Sequence, residues 1–108
     1  MINKVLVTIN IPSLEIKLDM FIPVNKKIHS VIAMMKKSLF ELSEGSFSLS
    51  KSYILYNEET GKSYDMNALV RDTDLRNNSK VILLWGGEIK WVQLMFLLKN
   101  YKNILKIL

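Results

Sequence analysis

The residues able to do chemistry in this chain are few and scattered. There is no cysteine, which excludes disulfides, thiolate metal sites and a catalytic thiol, and the single histidine, His29, leaves a histidine-based metal centre or triad without partners. Two acidic pairs remain. Asp72 and Asp74 lie two apart in a segment with the composition of a connecting loop, and Glu58 and Glu59 are adjacent beside the turn Thr60-Gly61-Lys62. General acid–base work needs such groups to converge on one reacting atom, with their pKa values set by a neighbouring cation or histidine. Neither pair has one at a telling spacing. Gly61-Lys62 also lacks the preceding glycine of a phosphate-cradling loop. The expectation is a protein that is not an enzyme, holds no cofactor and works through its surfaces.

The charge balance narrows the partners. The formal net charge is +5, and the last 21 residues contribute +3 of it, four lysines (Lys90, Lys99, Lys102, Lys106) less Glu88. Lys26, Lys27, Lys36 and Lys37 form a second basic group, but no aromatics interleave with them as a base-stacking platform requires. Nucleic-acid binding is therefore a lesser reading, and solvating lysines on a helix the plainer one. The chain opens without a charged segment followed by a long apolar run, so a cytoplasmic location, possible also at the inner face of a membrane, is the default expectation.

The elements that position these side chains follow from periodicity. In Asn25 to Leu42 the apolar residues Ile28, Val31, Ile32, Met35, Leu39 and Leu42 fall on one helical face. Asn25 suits the N-cap and Gly45 a stop. Before the helix, Val5, Val7, Ile9 and Ile11 alternate with Leu6, Thr8 and Asn10; after Pro12-Ser13, the residues Leu14, Ile16, Leu18, Met20 and Ile22 alternate with Glu15, Lys17 and Asp19. Two such runs across a turn predict an antiparallel hairpin ended by Pro23. After a polar stretch over 43–52, Tyr53 to Glu59 is β-prone and turns back at Thr60-Gly61-Lys62. Asn67 to Asn78 suits a connection containing a short helical turn, and Lys80 to Trp85 is a compact apolar strand.

The order is ββαββ, which predicts an α+β domain over 1–85: a mixed sheet with one packed helix, in which the last strand runs parallel to the first through a right-handed crossover. Gly86-Gly87 and a C-terminal amphipathic helix complete the chain over 86–108.

At Gly61-Lys62, Leu69, Asp72, Leu75, Ser79, Val81 and Leu83 the sequence resembles ubiquitin without gaps, which implies a ubiquitin-like β-grasp fold. Over Lys4 to Leu84 it is most similar to the YukD and EsaB group of bacterial ubiquitin-like proteins. The features carrying that likeness are the long alternating first hairpin, the Ile22-Pro23-Val24-Asn25 entry to the helix, and the stretch from Asp72 into an apolar last strand. The resemblance implies an accessory or regulatory component of a type VII secretion system. Two departures from ubiquitin bear on function. The pair Gly86-Gly87 follows the last strand too closely for a free tail and precedes 21 further residues, so a turn or linker is the better reading than a conjugation signal; a ubiquitin-like modifier processed after Gly87 is the alternative. Glu58, or Asn57 with a slip of one, stands where ubiquitin has an apolar recognition residue.

The tail has no counterpart in the short family members. Trp91, Leu94, Met95, Leu98, Tyr101, Leu105 and Leu108 share one helical face, with Lys99, Lys102, Asn103 and Lys106 away from it. Such a helix needs cover. It can fold back on the outward face of its own sheet, where alternation places Leu6, Ile82 and Leu84; it can pair with a second copy or another protein; or it can lie on an anionic membrane. The contact residues expected are Trp91, Leu94, Leu98 and Tyr101 in the tail, and Ile82 and Leu84 on the sheet.

Overall fold

The computed structural model describes residues 3–86. In β1 (Lys4–Ile11) the pleat sends Val5, Val7, Ile9 and Ile11 into the core and leaves Leu6, Thr8 and Asn10 half-buried on the other face. Pro12, with its φ already suited to a helical turn, opens a 3-10 turn over Pro12–Leu14; Glu15 then closes it in the left-handed region at φ 53°. The second strand, β2 (Ile16–Pro23), thus starts two residues later than the alternation from Leu14 suggests. It pairs antiparallel with β1 from Ile11↔Ile16 to Lys4↔Pro23.

The helix α1 spans Ile28–Leu42, and its start differs from the expectation. Asn25 does not cap it. The N-cap position falls at Lys27, which makes no side-chain capping bond. The helix-terminal N–H groups that a first turn leaves unpaired are met from elsewhere: Ile28 N–H donates to the Ala68 carbonyl at 2.9 Å and His29 N–H to the Met66 carbonyl at 3.0 Å. The same segments are laced together on either side, Val70 N–H to the Lys26 carbonyl and Arg71 N–H to the Val24 carbonyl, both at 2.9 Å. At the far end Gly45 N–H reaches back to the Phe40 carbonyl and Glu44 N–H to that of Glu41, with Glu44 at φ 54° and Gly45 at φ 86°. This is the paired closure of a Schellman end, with glutamate in the left-handed position that glycine usually takes.

Ile28, Val31, Ile32, Met35 and Leu39 are buried as their spacing predicts. Leu42 is not: it is 67% exposed. The core at this end is closed by Phe47, from a stretch whose serines read as loop; its ring stacks on Tyr53 with centroids 4.7 Å apart.

The strand β3 (Tyr53–Asn57) turns through Gly61 at φ 71° to an isolated bridge between Tyr56 and Ser63. A 3-10 turn at Val70–Asp72 leads to β4 (Ser79–Trp85). The sheet order is β2-β1-β4-β3, with β4 parallel to β1 from Val7↔Ser79 to Asn10↔Ile82 and antiparallel to β3 from Tyr53↔Trp85 to Asn57↔Val81. This is the ubiquitin-like β-grasp: a mixed sheet of four strands with one helix packed across it. Among the described residues no helix is long and apolar enough to cross a membrane. The expected helix over 88–108 lies outside the described residues, as do Gly87 before it and Met1 and Ile2 of the first strand.

Leu39 and Leu42 sit one turn apart in opposite environments, and truncation should separate them. Leu39→Ala is expected to lower the unfolding free energy by about 2–5 kcal/mol, and Leu42→Ala to change it by no more than about 0.5 kcal/mol, both read from urea denaturation of the full chain.

Candidate functional site

The acidic side chains do not converge. Asp74 accepts a hydrogen bond from the Tyr64 hydroxyl at 2.8 Å on one oxygen and from Asn57 Nδ2 at 3.2 Å on the other. Asn57 Oδ1 in turn accepts the N–H groups of Glu59 (2.8 Å) and Thr60 (3.1 Å), shaping the turn after β3. Asp74 therefore ties this turn and Tyr64 to the connection before β4. Its sequence neighbour Asp72 is exposed on the 3-10 turn. Burial, and then the bond and charge of Asp74, push the Tyr64 phenol well above its ordinary value of 10.0, while the Asn57 bond opposes this. Glu58 is half-buried with its N–H on the Lys80 carbonyl at 3.0 Å, and Glu59 is exposed. His29 is exposed, its Nδ1 3.4 Å from the Ser30 hydroxyl. Among the described residues no three His, Cys, Asp or Glu side chains gather as a metal-ligand set.

The helix lysines are not one open patch. Lys36 donates to the Lys51 carbonyl at 3.0 Å and its ammonium lies 5.7 Å from the Tyr53 ring centroid. Lys51 lies over the Trp85 ring at 4.3 Å, a cation–π contact. Lys26, Lys27 and Lys37 are exposed. Each of these rings thus already has a lysine beside it, Tyr53 at the start of β3 and Trp85 at the end of β4.

What remains is surface, and the sheet face turned away from α1 has a definite pattern. Val81 and Leu83 join the main core, while Ile82 and Leu84 point to the opposite face and form a separate cluster with Tyr56 packed against it. The register sets Ile82 beside Asn10 on one side and Tyr56 on the other, and Leu84 beside Ile54. Ile82 is 7% exposed and Leu84 only 1%. Leu6 shares the face but not the patch. It stands four residues from Asn10 along β1, roughly 13 Å at the strand rise, with Thr8, bonded to Asp19 at 2.7 Å, between. Ile82 and Leu84, the residues expected as the receiving face, therefore sit together, and Leu6 stands apart from them. Trp91, Leu94, Leu98 and Tyr101 lie outside the described residues.

Beside Leu6 stands Phe21, its cross-strand partner, 62% exposed. The signal for it was present in the alternation: Lys17, Asp19 and Phe21 make the outward set of β2, and Phe21 is the one apolar member. Leu42, Leu49 and Met34 are further exposed apolar side chains, on α1 and the loop after it. Their exposure depends on where the helix ends and how the loop returns, neither of which periodicity specifies.

No family model matches the sequence, and no curated protein matches it. Solved structures do match in fold. The ubiquitin-like domain of EccD5 from Mycobacterium xenopi is similar with a TM-score of 0.62 at 10% identity, covering 76% of this chain and 93% of that one. The ubiquitin-like domain of ECCD1, a type VII secretion system protein of Mycobacterium tuberculosis, gives 0.61 at 14%, over 77% and 99% of the two chains. A chain of the MycP5-free ESX-5 inner membrane complex in its State II gives 0.59 at 11%, over 78% of this chain and 21% of that one. Identities this low establish the shared ubiquitin-like fold and nothing finer.

The Tyr64–Asp74 bond makes a prediction about alkaline pH. A phenol whose pKa is raised on folding contributes stability that is complete below its unfolded value near 10 and is lost as pH rises above it. The unfolding free energy of the native chain should therefore fall more steeply above pH 10 than that of Tyr64→Phe, with the two curves parallel at lower pH, as followed by urea denaturation across the alkaline range.

Proposed function

We propose that this ubiquitin-like chain is a non-enzymatic interaction module of a type VII secretion system, acting on the cytoplasmic side by presenting surfaces to protein partners, and that it is not conjugated to targets. The observation that carries the second part is the end of β4. Trp85 is still paired with Tyr53 in the sheet ladder, and Gly86 is the next residue. A diglycine used for conjugation must reach an activating site as a free extended end. Here the first glycine directly follows the ladder, and 21 residues follow the second.

The secretion assignment is supported by the likeness to the ubiquitin-like domains of EccD5 and ECCD1, and the similar fold in 21% of a chain of an inner membrane complex supports a place beside the membrane. The engaged state of Asp74, Asn57 and Tyr64 favours a binding role over catalysis: these groups serve the hairpin that carries β3.

Two measurements check the reading. Intact mass spectrometry of the protein from its own cells should find the undivided chain without higher-mass conjugates; a species ending at Gly87 would establish the modifier reading instead. Affinity purification of the tagged full chain from detergent-solubilised membranes should retain an FtsK-like secretion ATPase or its membrane complex. Recovery of the chain without any secretion component would remove the first part.

A further inference from the structure

Between the start of β1 and the connection that precedes β4 lies a cleft of about 400 Å³, lined by Val5, Val24, Arg71, Leu75, Arg76 and Asn77. Its two charged residues are both arginines, and no carboxylate lines it. Val5 and Leu75 are buried and Val24 is half-buried beside them. The walls are pinned by bonds within the fold: Arg71 N–H donates to the Val24 carbonyl and Val24 N–H to the Asn3 carbonyl, both at 2.9 Å, while Leu6 N–H donates to Asn77 Oδ1 at 2.8 Å and Arg76 N–H to the Ser79 hydroxyl at 2.9 Å. The cleft is thus shaped before anything enters it, which lowers the ordering cost of binding. The two guanidiniums differ in state. Arg76 Nη1 donates to the Thr73 carbonyl at 2.8 Å and the Leu75 carbonyl at 2.7 Å, which holds the group in place and leaves its other N–H donors for a ligand. Among the described residues Arg71 makes no side-chain hydrogen bond or ion pair.

We infer that this cleft docks a short acidic segment of a partner protein, an aliphatic side chain seated against Val5, Val24 and Leu75 with a neighbouring carboxylate held by Arg71 and Arg76. Charge complementarity selects the occupant. A planar guanidinium pairs with a carboxylate through two parallel hydrogen bonds, and two guanidiniums with no acidic residue in the wall leave that pairing open to an incoming group. The apolar half of the lining selects a peptide over a bare ion or a nucleic acid. A phosphodiester backbone brings no aliphatic side chain to set on valine and leucine, and no aromatic side chain lines the cleft to stack a base. The inference rests on the reading of the chain as an interaction module and is independent of the secretion assignment.

The test is selection of random short peptides displayed on phage against the purified full chain. Selected peptides should join Asp or Glu to Leu, Ile or Val, and a synthesised one should shift the backbone amides of Val5, Val24, Arg71 and Leu75 in the ¹⁵N-labelled chain. Arg71→Glu should weaken that peptide by at least about tenfold and Arg71→Lys by less. Lys37→Glu makes the same change of charge on the exposed side of α1, and should weaken it by less than about twofold. The Arg71 side chain makes no bond in the fold, so the variants keep the walls of the cleft, which unchanged amide shifts elsewhere will verify. Selection of no peptide, or of peptides without acidic residues, would overturn the proposal. So would shifts confined to other faces, or an equal loss of binding in Arg71→Glu and Lys37→Glu. Sodium sulfate that reproduces the shifts at the peptide's own concentration would reduce the cleft to a simple anion site and overturn it as well. Because the components are purified, such a failure leaves the secretion reading to its own affinity purification, and loss of the secretion reading leaves the peptide result unchanged.

Discussion

The structure rests on the parallel pairing of β1 with β4 at the centre of the sheet. β1 is bonded on both sides, to β2 over its whole length and to β4 from Val7 to Asn10, and its inward residues are the floor of the core. Val7, Ile9 and Ile11 are fully buried with Val81 and Leu83, and each such side chain contributes on the order of 1.5–3 kcal/mol by leaving water. A parallel pair cannot be closed by a hairpin and needs a crossover. That requirement is what places α1 across the sheet and leaves β2 and β3 as the edges. It also divides the two sides of β4 between two environments, Val81 and Leu83 under the helix and Ile82 and Leu84 away from it.

The long segment between β3 and β4 is held by polar groups in place of regular structure. Its 66–71 stretch gives two carbonyls to the start of α1 and takes two from the residues just before it. Further on, Asp74 holds Tyr64 and Asn57, and Asn77 Oδ1 accepts the Leu6 N–H at 2.8 Å while Asn78, at φ 72°, donates to the Leu6 carbonyl at 2.7 Å. The side chains that could be mistaken for catalytic equipment are the ones tying these crossings. Their hydrogen bonds are spent on shape, and what the molecule presents outward is the far face of the sheet and the exposed side of the helix.

Those faces differ in kind. The corner at the end of β4 is apolar and already withdrawn from water. The Leu6–Phe21 corner is apolar and open, the row of Thr8 and Asp19 between them is polar, and the exposed side of α1 mixes lysines with Met34 and Leu42.

Much of this was legible in the order of residues alone. Alternation in β1 and β2, the 3.6-residue stripe of α1, the compact apolar run of β4 and the turn at Thr60-Gly61-Lys62 indicated the elements, because each signal lies within one segment, and their order indicated the pairing of first and last strands. The places where it fell short are those where the deciding atoms are far away in the chain. Asn25 had the right side chain for a cap, but the carbonyls of Met66 and Ala68 took that role and moved the helix start to Ile28. Leu42 continued the stripe, yet it is exposed while Phe47, beyond the helix end, is buried against Tyr53. Leu6, Ile82 and Leu84 shared a face by parity, and only the interstrand register showed Leu6 to stand roughly 13 Å along β1 from Asn10, the neighbour of Ile82. Periodicity tells which side of an element is buried; register, the path of the loops and the backbone groups they offer tell against what, and these belong to the tertiary structure because they are settled between segments and not within them.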